Sequence, residues 1–163
     1  MAILGVDQPE SIEINQALRL RRYDGTADFA FAWYQDEELV YLVDGVKKPY
    51  SRETLRGMYA YLDAHGELYF IEALEDGAFV PIGDVTFWRE DMPIVIGNPA
   101  YRGRGIGRQV IMALMERGRQ LGYDRLGVRE IYDFNEASIR CFTACGFLPV
   151  ERTEKGWRYE AKL

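Results

Sequence analysis

Ile96-Gly97-Asn98-Pro99-Ala100-Tyr101-Arg102-Gly103-Arg104-Gly105-Ile106-Gly107 is the stretch that decides how this chain folds. Before it, Met92–Gly97 is apolar and reads as a strand. After it, about Ile106–Leu121 reads as an amphipathic helix, with Val110, Leu114 and Met115 on its apolar side and Gly122 as its stop. Glycines between a strand and a helix let the backbone turn sharply and approach a ligand closely. The first amides of the helix have no internal partner, and the helix dipole favours an anion there. Together these features predict a pyrophosphate cradle over Gly103–Arg108, to which Arg102 and Arg104 can add charge-assisted hydrogen bonds. The spacing excludes two common nucleotide motifs. A dinucleotide fingerprint needs a third small residue where Arg108 stands, and no Gly-Lys-Ser/Thr occurs to make a P-loop.

Working outward, Ala17–Arg22 alternates as a strand, and residues 1–15 read as an N-terminal arm or short edge segment. Thr26 is a candidate cap for a helix over Ala27–Gln35, while Asp36–Asp44 is mixed in type. Ser51 caps a second helix, Arg52–Ala64, stopped by Gly66. Leu68–Leu74 and Phe79–Trp88 form a hairpin about Glu75-Asp76-Gly77. Downstream, Arg125–Ile131 is a strand, Asn135 caps a helix over Glu136–Ala144, and Phe147–Glu151 with Trp157–Lys162 close the chain as a hairpin. The order is β-α-α-β-β-β-α-β-α-β-β. It predicts one mixed α/β domain over residues 1–163, a central twisted sheet with helices on both faces.

The 163 residues carry a net charge of -6, which disfavours direct binding to a phosphate backbone and suits a cationic ligand. No apolar run approaches the ~20 residues of a membrane span, and the acidic start is unlike a secretory signal. The two cysteines, Cys141 and Cys145, are four apart and match neither a CxxC motif nor a zinc framework. With a single histidine, His65, a multi-histidine metal site is not expected either. Two unpaired thiols and no leader point to the cytoplasm.

The cradle stretch resembles the acetyl-CoA signature of the GNAT superfamily of N-acetyltransferases. A second block, Asn135-Glu136-Ala137-Ser138-Ile139-Arg140-Cys141-Phe142-Thr143-Ala144-Cys145-Gly146-Phe147, is similar to that family's closing motif. The Ile-Gly-Asn-Pro lead-in and the Asn-x-x-Ser spacing look most like the RimJ/RimL branch. The resemblance covers about Ala17–Leu163 in element order, but hardly touches the acceptor half, roughly residues 23–66.

The resemblance implies an acetyl-CoA-dependent transfer to a primary amine in a ternary complex, with no metal. It implies that Val95, Ile96 and Gly97 pair with the pantetheine arm, the Val95 amide donating to the thioester carbonyl. Arg102, Gly103, Arg104, Gly105, Ile106, Gly107 and Arg108 would hold the pyrophosphate, and Asn135 would reach the pantetheine. Asp91 stands at the family's base position, eleven before Arg102, and Asp84, a carboxylate in an apolar run, is its rival. Where much of the family has a proton-donating tyrosine this chain has Phe142, so Ser138 becomes the candidate acid for the leaving thiolate. Cys141 reads as a packed core residue rather than a nucleophile. On the acceptor side, Trp33, Tyr34, Tyr41 and Tyr50 are candidates to enclose a ligand, and Asp36, Glu37, Glu38 and Asp44 to hold an ammonium. A protein N-terminus, a polyamine or an aminoglycoside all remain open as acceptor, a non-catalytic acyl-CoA sensor is the rival class, and a homodimer is expected from the family alone.

Overall fold

The computed structural model describes residues 2–163. Its strands are β1 (Ser11–Asn15), β2 (Leu18–Arg22), β3 (Glu67–Glu75), β4 (Ala78–Phe87), β5 (Ile94–Ile96), β6 (Arg125–Tyr132), β7 (Leu148–Arg152) and β8 (Gly156–Lys162). Its helices are α1 (Glu37–Asp44), α2 (Arg52–His65), α3 (Ile106–Gln120) and α4 (Glu136–Ala144), and short 3-10 turns sit at Asp28–Ala30, Trp33–Gln35 and Pro99–Tyr101. The strands form an antiparallel run β1-β2-β3-β4-β5 and a second group β6-β8-β7. The mixed α/β architecture expected from the sequence is therefore present, with the edge segment at its start made real as β1.

Period-two alternation divides the core. Tyr69, Ile71 and Ala73 of β3 face α3 and α4, together with Val110, Leu114 and Phe142. Leu68 and Phe70 face the other way, onto Tyr34, Leu39, Leu55 and Tyr59 from the α1–α2 side. Burying both faces of β3 also buries Glu67 and Glu72, and each is neutralised by arginine: Arg117 reaches Glu67 at 2.7 Å, and Arg21 and Arg19 reach Glu72 at 2.7 and 2.8 Å.

The first helix lies later than the sequence suggested. Residues 27–35 make two 3-10 turns, and Thr26 caps nothing, since Ala27 holds the cap position with no side-chain bond. Aromatic anchoring overrides propensity here. Phe29 packs edge-on against Phe70 at 4.7 Å, and Tyr34 is drawn to Asp84. The true helix begins at Glu37 because Asp36 accepts from the Glu38 and Leu39 amides at 3.0 and 3.4 Å, and it ends at Gly45 with φ 76°.

Candidate active site

Strands β5 and β6 lie side by side without pairing, because each takes its ladder from elsewhere: β5 from β4, β6 from β8. Two hydrogen bonds join β6 to the segment just before β5. The Gly127 amide donates to Arg89 O at 2.8 Å, and the Arg129 amide to Asp91 Oδ1 at 3.1 Å. Beyond Asp91 the strands part into a V. The groove that fills it, about 710 Å³, is lined by β5, β6, the Gly103–Arg108 turn, α4 and one side of α1.

The backbone of β5 fixes which amides face this groove. The Thr86 amide donates to Pro93 O at 3.0 Å, so along the same ladder Asp84 and Val95 form the next hydrogen-bonded pair. The Val95 amide is thereby turned toward β4. Its neighbours Ile94 and Ile96 present their polar groups to the groove. This corrects the expectation for Val95: its side chain faces the α1–α2 core, and its amide is spent on the sheet.

The turn after β5 has the geometry of an anion cradle. Asn98 accepts from the Ala100 amide at 3.0 Å and starts a 3-10 turn at Pro99. Gly103 and Gly105 have φ of +73° and +74°, and a Cβ on either would project into open space. Gly105 is the cap residue of α3 and offers no side chain to its first amides. Gly107 serves packing instead, since a Cβ there would come within 3.1 Å of Cys141 Sγ on α4. Gly97 likewise makes room for the Trp33 ring. Arg102 is differently employed from the expectation. Its Nε donates to Ile96 O at 2.9 Å, its Nη2 to Gly97 O at 3.2 Å, and its Nη1 lies 3.6 Å from Asp36 Oδ2. Arg104 leans over Tyr101, and Arg108 lines the groove.

On the opposite wall, Asn135 Oδ1 accepts from the Ser138 amide at 3.2 Å and its Nδ2 donates to Leu42 O at 3.4 Å, so it caps α4 and ties it to α1. Ser138 is half-buried and lines the groove. Phe142 is buried, its ring edge-on to Phe147 at 5.1 Å. Burial pushes the Cys141 thiol up to about 11, which suppresses thiolate and agrees with a packing role.

A model of a protein family, described as the acetyltransferase (GNAT) family, matches residues 27–147. The chain belongs to the GNAT acetyltransferase family. Similar solved structures agree on the fold of this acetyltransferase. A domain from Methanocaldococcus jannaschii DSM 2661 aligns at 21% identity over 90% of this chain and 98% of its own, with a TM-score of 0.79. The aminoglycoside acetyltransferase AAC(6')-Ib, solved with coenzyme A and kanamycin, aligns at 14% identity over 90% and 95%, TM-score 0.71. YncA, a putative acetyltransferase from Salmonella typhimurium solved with acetyl-CoA, aligns at 17% identity over 91% and 95%, TM-score 0.60. Among curated proteins no sequence matches.

Three acids line the groove of this acetyltransferase: Glu38, Asp91 and Glu130. Asp91 is the peg at the point of the V. Its Oδ1 takes the Met92 and Arg129 amides, both at 3.1 Å, and burial outweighs these bonds and holds its carboxyl above the usual range. Glu130 escaped the sequence reading. It sits at an irregularity in the β6–β8 ladder, with Oε2 accepting from Thr153 Oγ1 at 2.6 Å and from the Lys155 amide at 3.2 Å. Because Ile131 enters the α3–α4 core, Glu130 and Tyr132 face the α1 side of the V. The available signal was the alternation of Glu130 and Tyr132 about Ile131. Glu38 is paired with Lys47 at 2.9 Å. Among the described residues no group of three His, Cys, Asp or Glu side chains could hold a metal, and no helix is long and apolar enough to cross a membrane.

Asp84 is not among the groove residues. It is buried, and its Oδ2 accepts from both Tyr34 and Tyr59 hydroxyls at 2.8 Å. It fastens the Trp33–Gln35 turn and α2 to the sheet. Tyr34 and Tyr50 are likewise buried, stacked at 4.9 Å, with Tyr50 donating to Asp44 at 2.7 Å. They are core rings on the α1–α2 side, not ligand-facing ones. Burial raises Asp84 from 3.8 to about 6 despite the two donors. The folded state therefore binds its proton more tightly than the unfolded chain does. Ionisation works against the fold, so this residue's contribution to stability falls as pH rises through this window. At ~1.4 kcal/mol per tenfold change in the ionisation constant, the cost above pH 6 is up to about 3 kcal/mol. The expected result is that urea unfolding of Asp84→Asn and wild type differ by an amount that moves toward the asparagine form between pH 4 and pH 8. A pH-independent difference would show that Asp84 is not the buried charge described.

Proposed function

We propose that this chain is an acetyl-CoA-dependent N-acetyltransferase that acetylates a cationic primary amine by direct attack in a ternary complex. The observation that carries this reading is the V between β5 and β6, with an open glycine cradle beside it and three acids lining it. When bound, acetyl-CoA supplies the thioester. The cradle fits its pyrophosphate, because Gly103 and Gly105 leave the approach clear and the first turn of α3 has no side-chain cap. Ile94 and Ile96 offer the backbone edge for its pantetheine arm, and the Ile94 amide is well set to polarise the thioester carbonyl.

An alkylammonium must lose a proton before it can attack. Asp91 is assigned as the base. It lines the groove, its Oδ1 is fixed by two amides, and burial raises its pKa, which makes its carboxylate a stronger proton acceptor than an ordinary aspartate. Glu130, on the α1 side, holds the incoming ammonium. Ser138 is assigned to protonate the leaving thiolate, since Phe142 has no proton to give. Ser138→Ala is expected to lower kcat about tenfold or more while leaving acetyl-CoA affinity within about twofold. Normal turnover would mean that water does this work. A cytoplasmic setting is proposed from the two free thiols, Cys141 and Cys145.

The rival reading, a sensor that binds acyl-CoA without turnover, draws its support from Phe142. Thiol release from acetyl-CoA in the presence of an amine panel separates the two. A sensor binds the thioester and releases no thiol with any amine.

A further inference from the structure

Helix α1 crosses the mouth of the V and is fastened to both of its walls. Toward β5, Asp36 at its start meets Arg102, which itself grips Ile96 O and Gly97 O. Toward β6, Leu42 O accepts from Asn135, and Tyr41 stacks on Phe134 at 4.4 Å with the planes 19° apart. Phe134 stacks in turn on Tyr132 of β6 at 5.1 Å. Lys47 and Lys155 lie over the outer rings, at 5.7 and 5.9 Å. Gly45, the residue that ends α1, leaves room for Lys155 Nζ and the Tyr132 ring, which a Cβ there would meet at 3.4 and 3.8 Å.

From this we infer that the Tyr41–Phe134–Tyr132 stack is a specificity device that closes the acceptor side of the groove, so that the acceptor is a small free amine and not the N-terminus of a polypeptide. The inference rests on the acetyltransferase reading above and narrows its substrate. An amine that attacks a thioester in the V must lie on the α1 face, where Glu130 and Tyr132 point. A polypeptide presenting its amino group there needs a channel wide enough for an extended chain, leading away between α1 and β6. Three rings at stacking distance lie across that route and tie α1 to the end of β6, with Tyr132 among the residues that line the groove. At the start of α1 the Asp36–Arg102 pair ties the helix to the β5 side. A compact amine fits beneath the strap, and Glu130, which among the described residues has no arginine or lysine side chain paired to it, favours one with a second positive charge.

The test compares 1,4-diaminobutane and an unstructured twelve-residue peptide with a free amino terminus, in wild type, Phe134→Ala and Phe134→Tyr. Wild type is expected to use the diamine with kcat/KM at least about tenfold above the peptide. Phe134→Ala is expected to narrow that ratio by about tenfold or more, with acetyl-CoA affinity little changed and faster hydrogen exchange in residues 38–45. Phe134→Tyr, which keeps the ring, should restore both the ratio and the protection. Equal use of peptide and diamine by wild type overturns the inference, as does an unchanged ratio in a Phe134→Ala protein whose α1 exchanges faster. Either result leaves thiol release, and so the acetyltransferase reading, intact. If no amine releases thiol, the acetyltransferase reading itself fails and the substrate claim falls with it.

Discussion

Gly105→Val should weaken acetyl-CoA binding by about 100-fold or more in a protein that remains folded. Two effects act together. Gly105 has φ +74°, and a residue with a Cβ in this region is strained by roughly 1–2 kcal/mol, more when it is β-branched. The side chain would also project into the open space beside the first turn of α3, where the pyrophosphate is proposed to lie, so the expected binding loss exceeds the folding loss. Gly107→Val is a poor substitute for this experiment, because it pushes on Cys141 and disturbs the α3–α4 contact directly. Titration calorimetry with acetyl-CoA decides the matter. Unchanged affinity in a folded Gly105→Val protein would remove the cradle from the site.

Asp91→Asn should lower kcat by about 10²–10³-fold at neutral pH, within the range that a positioned base supplies. Asparagine keeps Oδ1 as acceptor for the Met92 and Arg129 amides, so the point of the V should survive and acetyl-CoA affinity should hold. The sign of the pH dependence follows from the ionisation of Asp91. Below its raised pKa the carboxyl is protonated and cannot accept the amine's proton, so the wild-type rate rises with pH through that pKa. The asparagine form should lose that limb and retain only the rise due to free amine at higher pH. Glu130→Gln is the informative companion. If Glu130 holds the ammonium, KM for the amine rises more than kcat falls. Should Glu130→Gln remove the acidic limb while Asp91→Asn leaves it in place, the base is Glu130, and Asp91 is only the peg that joins β5 to β6.

Much of the candidate site was legible in the chain itself, wherever its geometry depends on local backbone. The turn at Gly103–Gly107, the helix that follows it and the Asn135 cap are short-range features. Their glycines, dipoles and capping side chains act within a few residues, so a linear reading finds them. The same logic located Ser51 and the hairpin at Asp76-Gly77, where φ is 50° and 82°. What the linear reading could not decide depended on partners distant in sequence. The direction of the Val95 amide is set by the register of β5 on β4, and one residue's difference exchanges the faces of a strand. Arg102 looks like a phosphate ligand until the carbonyls of Ile96 and Gly97 and the carboxylate of Asp36 are folded around it. Asp84 looks like a base until Tyr34 and Tyr59, 50 and 25 residues away, close over it. Glu130 looks like one surface acid among many until an irregular ladder turns it toward α1. The strap across the groove belongs to the same group, because aromatic stacking between α1 and the end of β6 joins side chains some 90 positions apart, and only a closed chain brings them to stacking distance.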